Sequence, residues 1–167
     1  MKKMLVVYYS WANGNTKKIA EELAGKTGAD LARIETVKDY DGSCDEVVEQ
    51  GKVEVEKGYL PPIKDLGVSI SDYDVIAVGT PTWWYTMAPA VHTFLKSQDW
   101  TGRTVIPFMT NGGWPGHVIK DMKAACRGAS FICDAQIRFD STGGDRMVTK
   151  QSEVDSWIES VKKELSR

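Results

Sequence analysis

Five short apolar runs, at Met4–Tyr9, Asp30–Ile34, Val75–Gly79, Val105–Met109 and Phe131–Ile137, alternate with five stretches of helical periodicity. All but the second run are near-continuous rather than alternating, the pattern of strands covered on both faces. The helical stretches are Thr16–Lys26, Cys44–Lys57, Met87–Lys96, His117–Ala125 and Ser152–Leu165. In the last of them Val154, Trp157, Ile158, Val161 and Leu165 recur at three- and four-residue steps, with Lys and Glu outside. Alternating strand and helix mean βαβ units, right-handed crossovers and a parallel sheet between helical layers. The expected class is therefore α/β, a three-layer sandwich with a five-stranded parallel sheet. The order 2-1-3-4-5 is one common solution, and it opens a ligand crevice at the carboxyl ends of strands 1, 3 and 4.

A chain of 167 residues is expected to fold as one domain, 1–167, around a single core. Gly58–Ile70, with Pro61-Pro62, reads as a connecting loop. Apolar content of 42% and charged content of 26% are ordinary for a globular protein. The net charge of −2 and pI near 5.7 argue against nucleic acid and anionic membranes as partners. Cys44, Cys126 and Cys133 form no CxxC and have no histidine at ligand spacing, so neither a metal site nor a disulfide framework follows. A reducing cytoplasm is the expected location. Lys2 and Lys3 precede an apolar run, but it breaks at Ser10, too soon for a signal peptide or a membrane span.

The stretch from Leu5 to Ala20 joins a buried strand, a turn of small polar residues and the start of an amphipathic helix. That order aims free backbone N–H groups, hydroxyls and the positive end of a helix dipole at one point, where an anion belongs. Two further loops reach the same edge of the expected sheet. Thr80-Pro81-Thr82-Trp83-Trp84-Tyr85-Thr86-Met87-Ala88-Pro89 follows strand 3, and Thr110-Asn111-Gly112-Gly113-Trp114-Pro115-Gly116 follows strand 4. Of the six tryptophans, Trp11, Trp83, Trp84 and Trp114 fall in the three loops. A phosphate site ringed by indoles suits a phosphate carried on a planar aromatic group. For any one tryptophan, packing onto a helix end or into a dimer contact is an equal reading; for all four together it is much the weaker.

Gly14-Asn15-Thr16 lacks the lysine of a nucleoside-triphosphatase loop, and the first loop has one of the three glycines of a dinucleotide fingerprint. The first strand ends in Tyr8-Tyr9-Ser10 rather than in the acidic cluster of a receiver domain. What remains is a monophosphate held by Ser10, Asn13, Asn15, Thr16 and the N–H groups around Gly14.

At this point the sequence resembles the flavodoxin family, over nearly its whole length. Ser10 with Gly14-Asn15-Thr16 resembles the family's phosphate loop. Gly79-Thr80-Pro81-Thr82-Trp83-Trp84, with Met87 and Pro89, resembles its loop against the flavin ring in small bacterial members, and Thr110-Asn111-Gly112-Gly113 its third loop. The resemblance implies a flavodoxin-like fold and non-covalent FMN. It implies that Ser10, Asn15 and Thr16 contact the phosphate, with Trp11, Asn13 and Gly14 in the same loop. It implies that Thr82, Trp83 and Trp84 line the isoalloxazine ring beside Pro81 and Tyr85. Asn111, Gly112 and Gly113 would follow its pyrimidine edge, flanked by Thr110, Trp114 and Gly116. No side chain need be catalytic, because the flavin carries the chemistry.

The first loop has one residue more between serine and glycine than the common family pattern. Trp83-Trp84-Tyr85-Thr86 contains no glycine, and bulky residues resist positive φ, so a peptide flip that stabilises the semiquinone is not expected there. Two functions follow from the resemblance. One is electron transfer with a redox partner protein, the other NAD(P)H-dependent reduction of a quinone, a flavin or another small acceptor. Aromatic loops at the rim leave a homodimer open. From another class comes a redox-silent module binding a different phosphate ligand. Lys17 and Lys18 in the first helical turn would be offset by a phosphate, though a solvated pair is commoner. His117 could reach a substrate over the ring but reads first as a surface residue near a cap, and His92 reads as structural. Asp140–Asp145, with Gly143-Gly144, reads as a polar loop that could wall the cavity, though no motif gives it a role.

Overall fold

The computed structural model describes residues 1–11 and 13–167; Ala12, in the first loop, lies outside the described residues. In chain order the elements are β1 (Met4–Tyr8), α1 (Asn15–Thr27), β2 (Asp30–Arg33), α2 (Cys44–Lys57), β3 (Val75–Trp83), β4 (Thr86–Met87), α3 (Pro89–Lys96), β5 (Thr104–Asn111), α4 (Val118–Ala125), β6 (Ser130–Phe131), β7 (Ala135–Arg138) and α5 (Gln151–Leu165). The sheet runs β2-β1-β3-β5, parallel throughout, with β6 and β7 both pairing in parallel beside β5. This is the expected 2-1-3-4-5 arrangement with its last strand in two pieces.

Period-two alternation sorts the side chains of each strand between two cores. On β1, Leu5 and Val7 face one core and Met4, Val6 and Tyr8 the other. Ile19, Ala20 and Leu23 of α1 and Val154, Ile158, Val161 and Leu165 of α5 close the second. Val91, Phe94 and Leu95 of α3, with Val118 and Met122 of α4, close the first. Each fully buried side chain of this size contributes about 1.5–3 kcal/mol. Gly79 belongs to this packing: a Cβ there would lie 2.3 Å from Cζ of Phe108, so β3 and the Phe108 ring approach closely only without one. Among the described residues, no helix is long and apolar enough to cross a membrane.

Three boundaries differ from the sequence expectation, each for a local reason. The fifth run does not make one strand. Ser130 N–H donates to Arg103 O and Ile132 N–H to Val105 O, but the next residue of β5 facing that side is Pro107, which has no N–H to give. Pairing resumes at Phe108 with Ala135, so three steps on β5 are matched by four on its neighbour. The extra residue makes a bulge in which Cys133 takes φ 50° and its carbonyl accepts the Trp157 indole N–H at 2.7 Å.

The third helix begins at Pro89, not Met87, with proline in the first turn as helices favour. The residues before it belong to a hairpin: β3 runs on to Trp83, reverses at Trp84-Tyr85 and returns as β4, pairing Thr82 with Met87 and Trp83 with Thr86. Two-residue reversals of this kind need φ > 0 at both centres, normally from Asn-Gly. Here Trp84 (φ 52°) and Tyr85 (φ 68°) supply it, so the expectation that bulky residues would keep this loop out of the left-handed region is overturned. Left-handed backbone costs about 1–2 kcal/mol per residue. Hydrogen bonds made by the turn offset that: the Trp84 indole N–H donates to Val48 O at 2.9 Å, and His117 N–H donates to Tyr85 O at 2.8 Å. The fourth helix then starts at Val118, with His117 as its cap residue.

Candidate functional site

A cavity of about 390 Å³ opens where β1, β3 and β5 end. On its polar side α1 begins at Gly14, which sits at φ 73° and offers no side-chain cap; the first helical turn carries no acid. The helix therefore presents its positive end without a carboxylate to neutralise it. Thr16 is buried to 1% exposure, and its hydroxyl lies 2.8 Å from that of Thr110. The Thr110 carbonyl in turn accepts the Thr82 hydroxyl at 3.0 Å. One residue of the third loop thus ties the first loop and the second to itself. Asn13 and Asn15 donate their amides to the carbonyls of Gly143 and Gly144, the latter at 3.1 Å, which draws the loop after β7 against the first loop.

The indoles divide into two pairs. Trp83 packs edge to face with Tyr9, Trp11 and Tyr40, its centroid 5.9, 6.4 and 5.2 Å from theirs. This cluster lies under α2, and Gly51 makes room for it, since a Cβ there would meet Trp83 Cε3 at 3.0 Å. Packing onto a neighbouring helix is thus the right description of Trp83, with Trp11 packed against it, even as both also line the cavity. Trp84 and Trp114 stand at the rim, 38% and 59% exposed. Beneath the cluster burial raises the Tyr9 phenol, and burial together with the Glu54 carboxylate, which accepts the Tyr40 hydroxyl at 2.7 Å, raises Tyr40. Both phenols therefore stay neutral.

Of the residues expected to bind the cofactor, Trp11, Asn13, Asn15, Thr16, Pro81, Thr82, Trp83, Trp84, Thr110, Asn111, Gly112 and Trp114 line the cavity. Ser10, Gly14, Tyr85, Gly113 and Gly116 lie outside its lining. Ser10 is buried, and its hydroxyl accepts the Lys17 N–H at 3.2 Å, which holds the start of α1. Gly113, at φ 111°, donates its N–H to the Asn111 side chain at 2.7 Å and lies under the Arg138 guanidinium. Gly116, at φ 54°, lies against the backbone of Tyr85.

The sequence reading missed the wall that α2 supplies, whereas the loop after β7 was already a candidate wall. Cys44, Val47, Val48 and Gly51 of α2 close the cavity from above the indoles, and Phe139, Asp140, Ser141, Gly143 and Gly144 close it opposite. Gly51 is the signal that was there to find, a glycine on the inner face of an otherwise regular helix, where it costs about 0.5–1 kcal/mol against alanine.

A doubly wound sheet with a ligand cavity at its topological switch point, an uncapped helix start on one side and aromatic walls on the other, defines an α/β protein built for a phosphate-bearing planar ligand. A family model described as Flavodoxin matches residues 3–161, and the chain belongs to that family. Among curated proteins nothing matches. A structure from Bacteroides uniformis described as a flavoprotein aligns at 25% identity, over 95% of this chain and 98% of that one, with a TM-score of 0.76. The flavoprotein of Lactobacillus acidophilus in complex with FMN aligns at 24% identity, over 94% and 99%, with a TM-score of 0.74. A flavodoxin from the domain Archaea aligns at 16%, over 98% and 99%, with a TM-score of 0.60. The likenesses under 25% identity speak for the fold alone.

Proposed function

We propose that the chain binds FMN without a covalent link and serves as an electron-transfer protein. The observation that carries this reading is Thr110, whose hydroxyl and carbonyl hold Thr16 and Thr82 and so join the uncapped start of α1 to the indole wall in one cavity. The residues present fit the group. Asn15, Thr16 and the N–H groups around Gly14 would hold the phosphate; Thr82, Trp83 and Trp84 the ring; Asn111 and Gly112 its polar edge. When bound, FMN supplies the redox chemistry. The protein's own part is to orient the ring and to keep water from it with α2 and the indoles.

A second reading, reduction of a small acceptor at the expense of NAD(P)H, is favoured by one feature: the rim beside the cavity is aromatic and open, with Trp84 and Trp114 in solvent. The unpaired cysteines suit a reducing cytoplasm. The experiment is the visible spectrum of purified protein after incubation with FMN and gel filtration. A flavin spectrum that co-elutes with the chain is expected. A colourless protein overturns the proposal and leaves the redox-silent module. Anaerobic reductive titration then separates the two redox readings, a prominent semiquinone without pyridine-nucleotide turnover supporting the carrier.

A further inference from the structure

A second cavity, of about 400 Å³, shares no lining residue with the first. The β3–β4 hairpin stands between the two: Thr82, Trp83 and Trp84 line one, Thr86 and Met87 the other. Helix α2 also serves both, with Val48 and Gly51 on the first and, one turn on, Glu54 and Val55 on the second. Gly58, the cap residue of α2, and Ala124 and Ala125, in the last turn of α4, belong to the same lining. Two helices thus bring their negative ends to this space.

Glu54 stands apart on this wall, only 7% exposed. Its oxygens accept one neutral donor each, the Tyr40 hydroxyl at 2.7 Å and the Gln50 amide at 2.9 Å. Among the described residues it forms no ion pair. A carboxylate accepts about four hydrogen bonds, and burying one without a countercharge is costly. The other charges of the cavity are already provided for. Asp121 accepts the Thr86 hydroxyl at 2.6 Å and pairs with His117 Nδ1. Burial, and then Lys96, lower the His92 pKa, which favours its neutral form. Lys96 itself is exposed, and an ammonium in water gains little from a partner.

We propose that this second cavity binds a small organic amine as its ammonium ion, with the positive nitrogen against Glu54. The sign follows from the balance of charge: the buried group without a counter-ion is negative, and both helix ends add to it. Among the described residues no group of three or more His, Cys, Asp or Glu side chains is placed to hold a metal ion, so the cation is organic. Val55, Met87 and Pro89 offer its aliphatic body an apolar wall. The volume admits a molecule well beyond the size of an inorganic ion. None of this depends on what the first cavity holds.

The test titrates the full chain, labelled with 15N, with n-butylamine at about pH 7.5, where an alkylamine, like lysine at about 10.4, is protonated. Amide shifts in the two-dimensional NMR spectrum map the site. Binding in the millimolar range is expected of so small a probe, with saturating shifts at Gly58, Met87 and Ala124 and none at Thr82 or Gly112. Glu54→Gln keeps an acceptor for the Tyr40 hydroxyl and removes the charge, so it should weaken binding about tenfold or more. Ala124→Leu, at an exposed position of α4, narrows the cavity with the carboxylate left in place, and should weaken binding similarly even where Glu54→Gln fails to fold. Equal affinity in either variant overturns the proposal, as do shifts that never saturate, the mark of screened surface charge. Pentanoate, of similar length and opposite charge, should leave these amides unmoved. Saturable pentanoate binding there would make the cavity an anion site and overturn the assignment.

Discussion

Replacing Gly116 by alanine tests the hairpin that frames the site. A Cβ at Gly116 would lie 2.2 Å from Tyr85 O, 2.5 Å from its Cα and 2.6 Å from its carbonyl carbon. All three atoms are backbone, so no rotamer change relieves the overlap and the Trp84-Tyr85 turn must move. The His117 N–H to Tyr85 O bond at 2.8 Å goes with it. Left-handed alanine costs about 1–2 kcal/mol and a lost hydrogen bond about 1 kcal/mol, together about 2–3 kcal/mol before any overlap is counted. Gly28→Ala is the control: Gly28 has φ 74° but nothing within 4 Å of its Cβ position, so only the conformational part applies. Urea unfolding of the FMN-free protein, followed by tryptophan fluorescence, reads both. With a slope of about 2 kcal/mol/M, Gly116→Ala should lower the midpoint by about 1–1.5 M, more once the overlap is counted, and Gly28→Ala by about 0.5–1 M. If Gly116→Ala falls no further than Gly28→Ala, the close approach does not hold the turn and the argument fails.

Thr16→Ala should weaken FMN binding by about 1.5–3 kcal/mol, the value of a hydrogen bond to a charged group, read by quenching of flavin fluorescence during titration. Unchanged affinity would mean that the phosphate lies elsewhere. At His92, burial and then Lys96 lower the pKa from its ordinary 6.5, against a smaller opposing effect of Asp121. The unfolded chain therefore takes up the proton first as pH falls below about 6.5, and this part of the stability is lost on acidification and regained as pH rises. His92→Asn should flatten the change in urea midpoint between about pH 7 and pH 5. The same slope in the variant would refute the assignment.

The layered fold is legible in the sequence because buried parallel strands write themselves as apolar runs, and the positions of the three loops follow from strand order alone. The exceptions have particular causes. Pro107 stands in plain view within an apolar run, but its consequence depends on which side of β5 its missing N–H would face, a matter of register. The Trp84-Tyr85 reversal carries none of the Asn-Gly or Asp-Gly signals of a tight hairpin. It is held from outside, by Val48 of α2 and by His117, more than 30 residues away in each direction. The α2 wall is hidden for a related reason: periodicity shows that Cys44–Lys57 is a helix but not what its inner face meets. Only Gly51, by what it lacks, points to Trp83. The knot at Thr110 is likewise a fact of tertiary structure, since its partners Thr16 and Thr82 lie on two other loops.

The bare start of α1 ties the fold to its surroundings in a way that contacts within the chain do not. A helix with Gly14 at its cap, no acid in its first turn and Lys17 and Lys18 next in line has only the Ser10 hydroxyl, on the Lys17 N–H, to stabilise that end. A phosphate bound there, as proposed above, would complete the cap, and it would come from solution. Ligand held by the native state alone adds RT ln(1 + [L]/Kd), about 2.7 kcal/mol at a hundredfold excess over Kd. Part of this domain's resistance to unfolding and proteolysis is thereby set by free cofactor concentration, so the lifetime of the polypeptide follows the supply of the molecule it is built to hold.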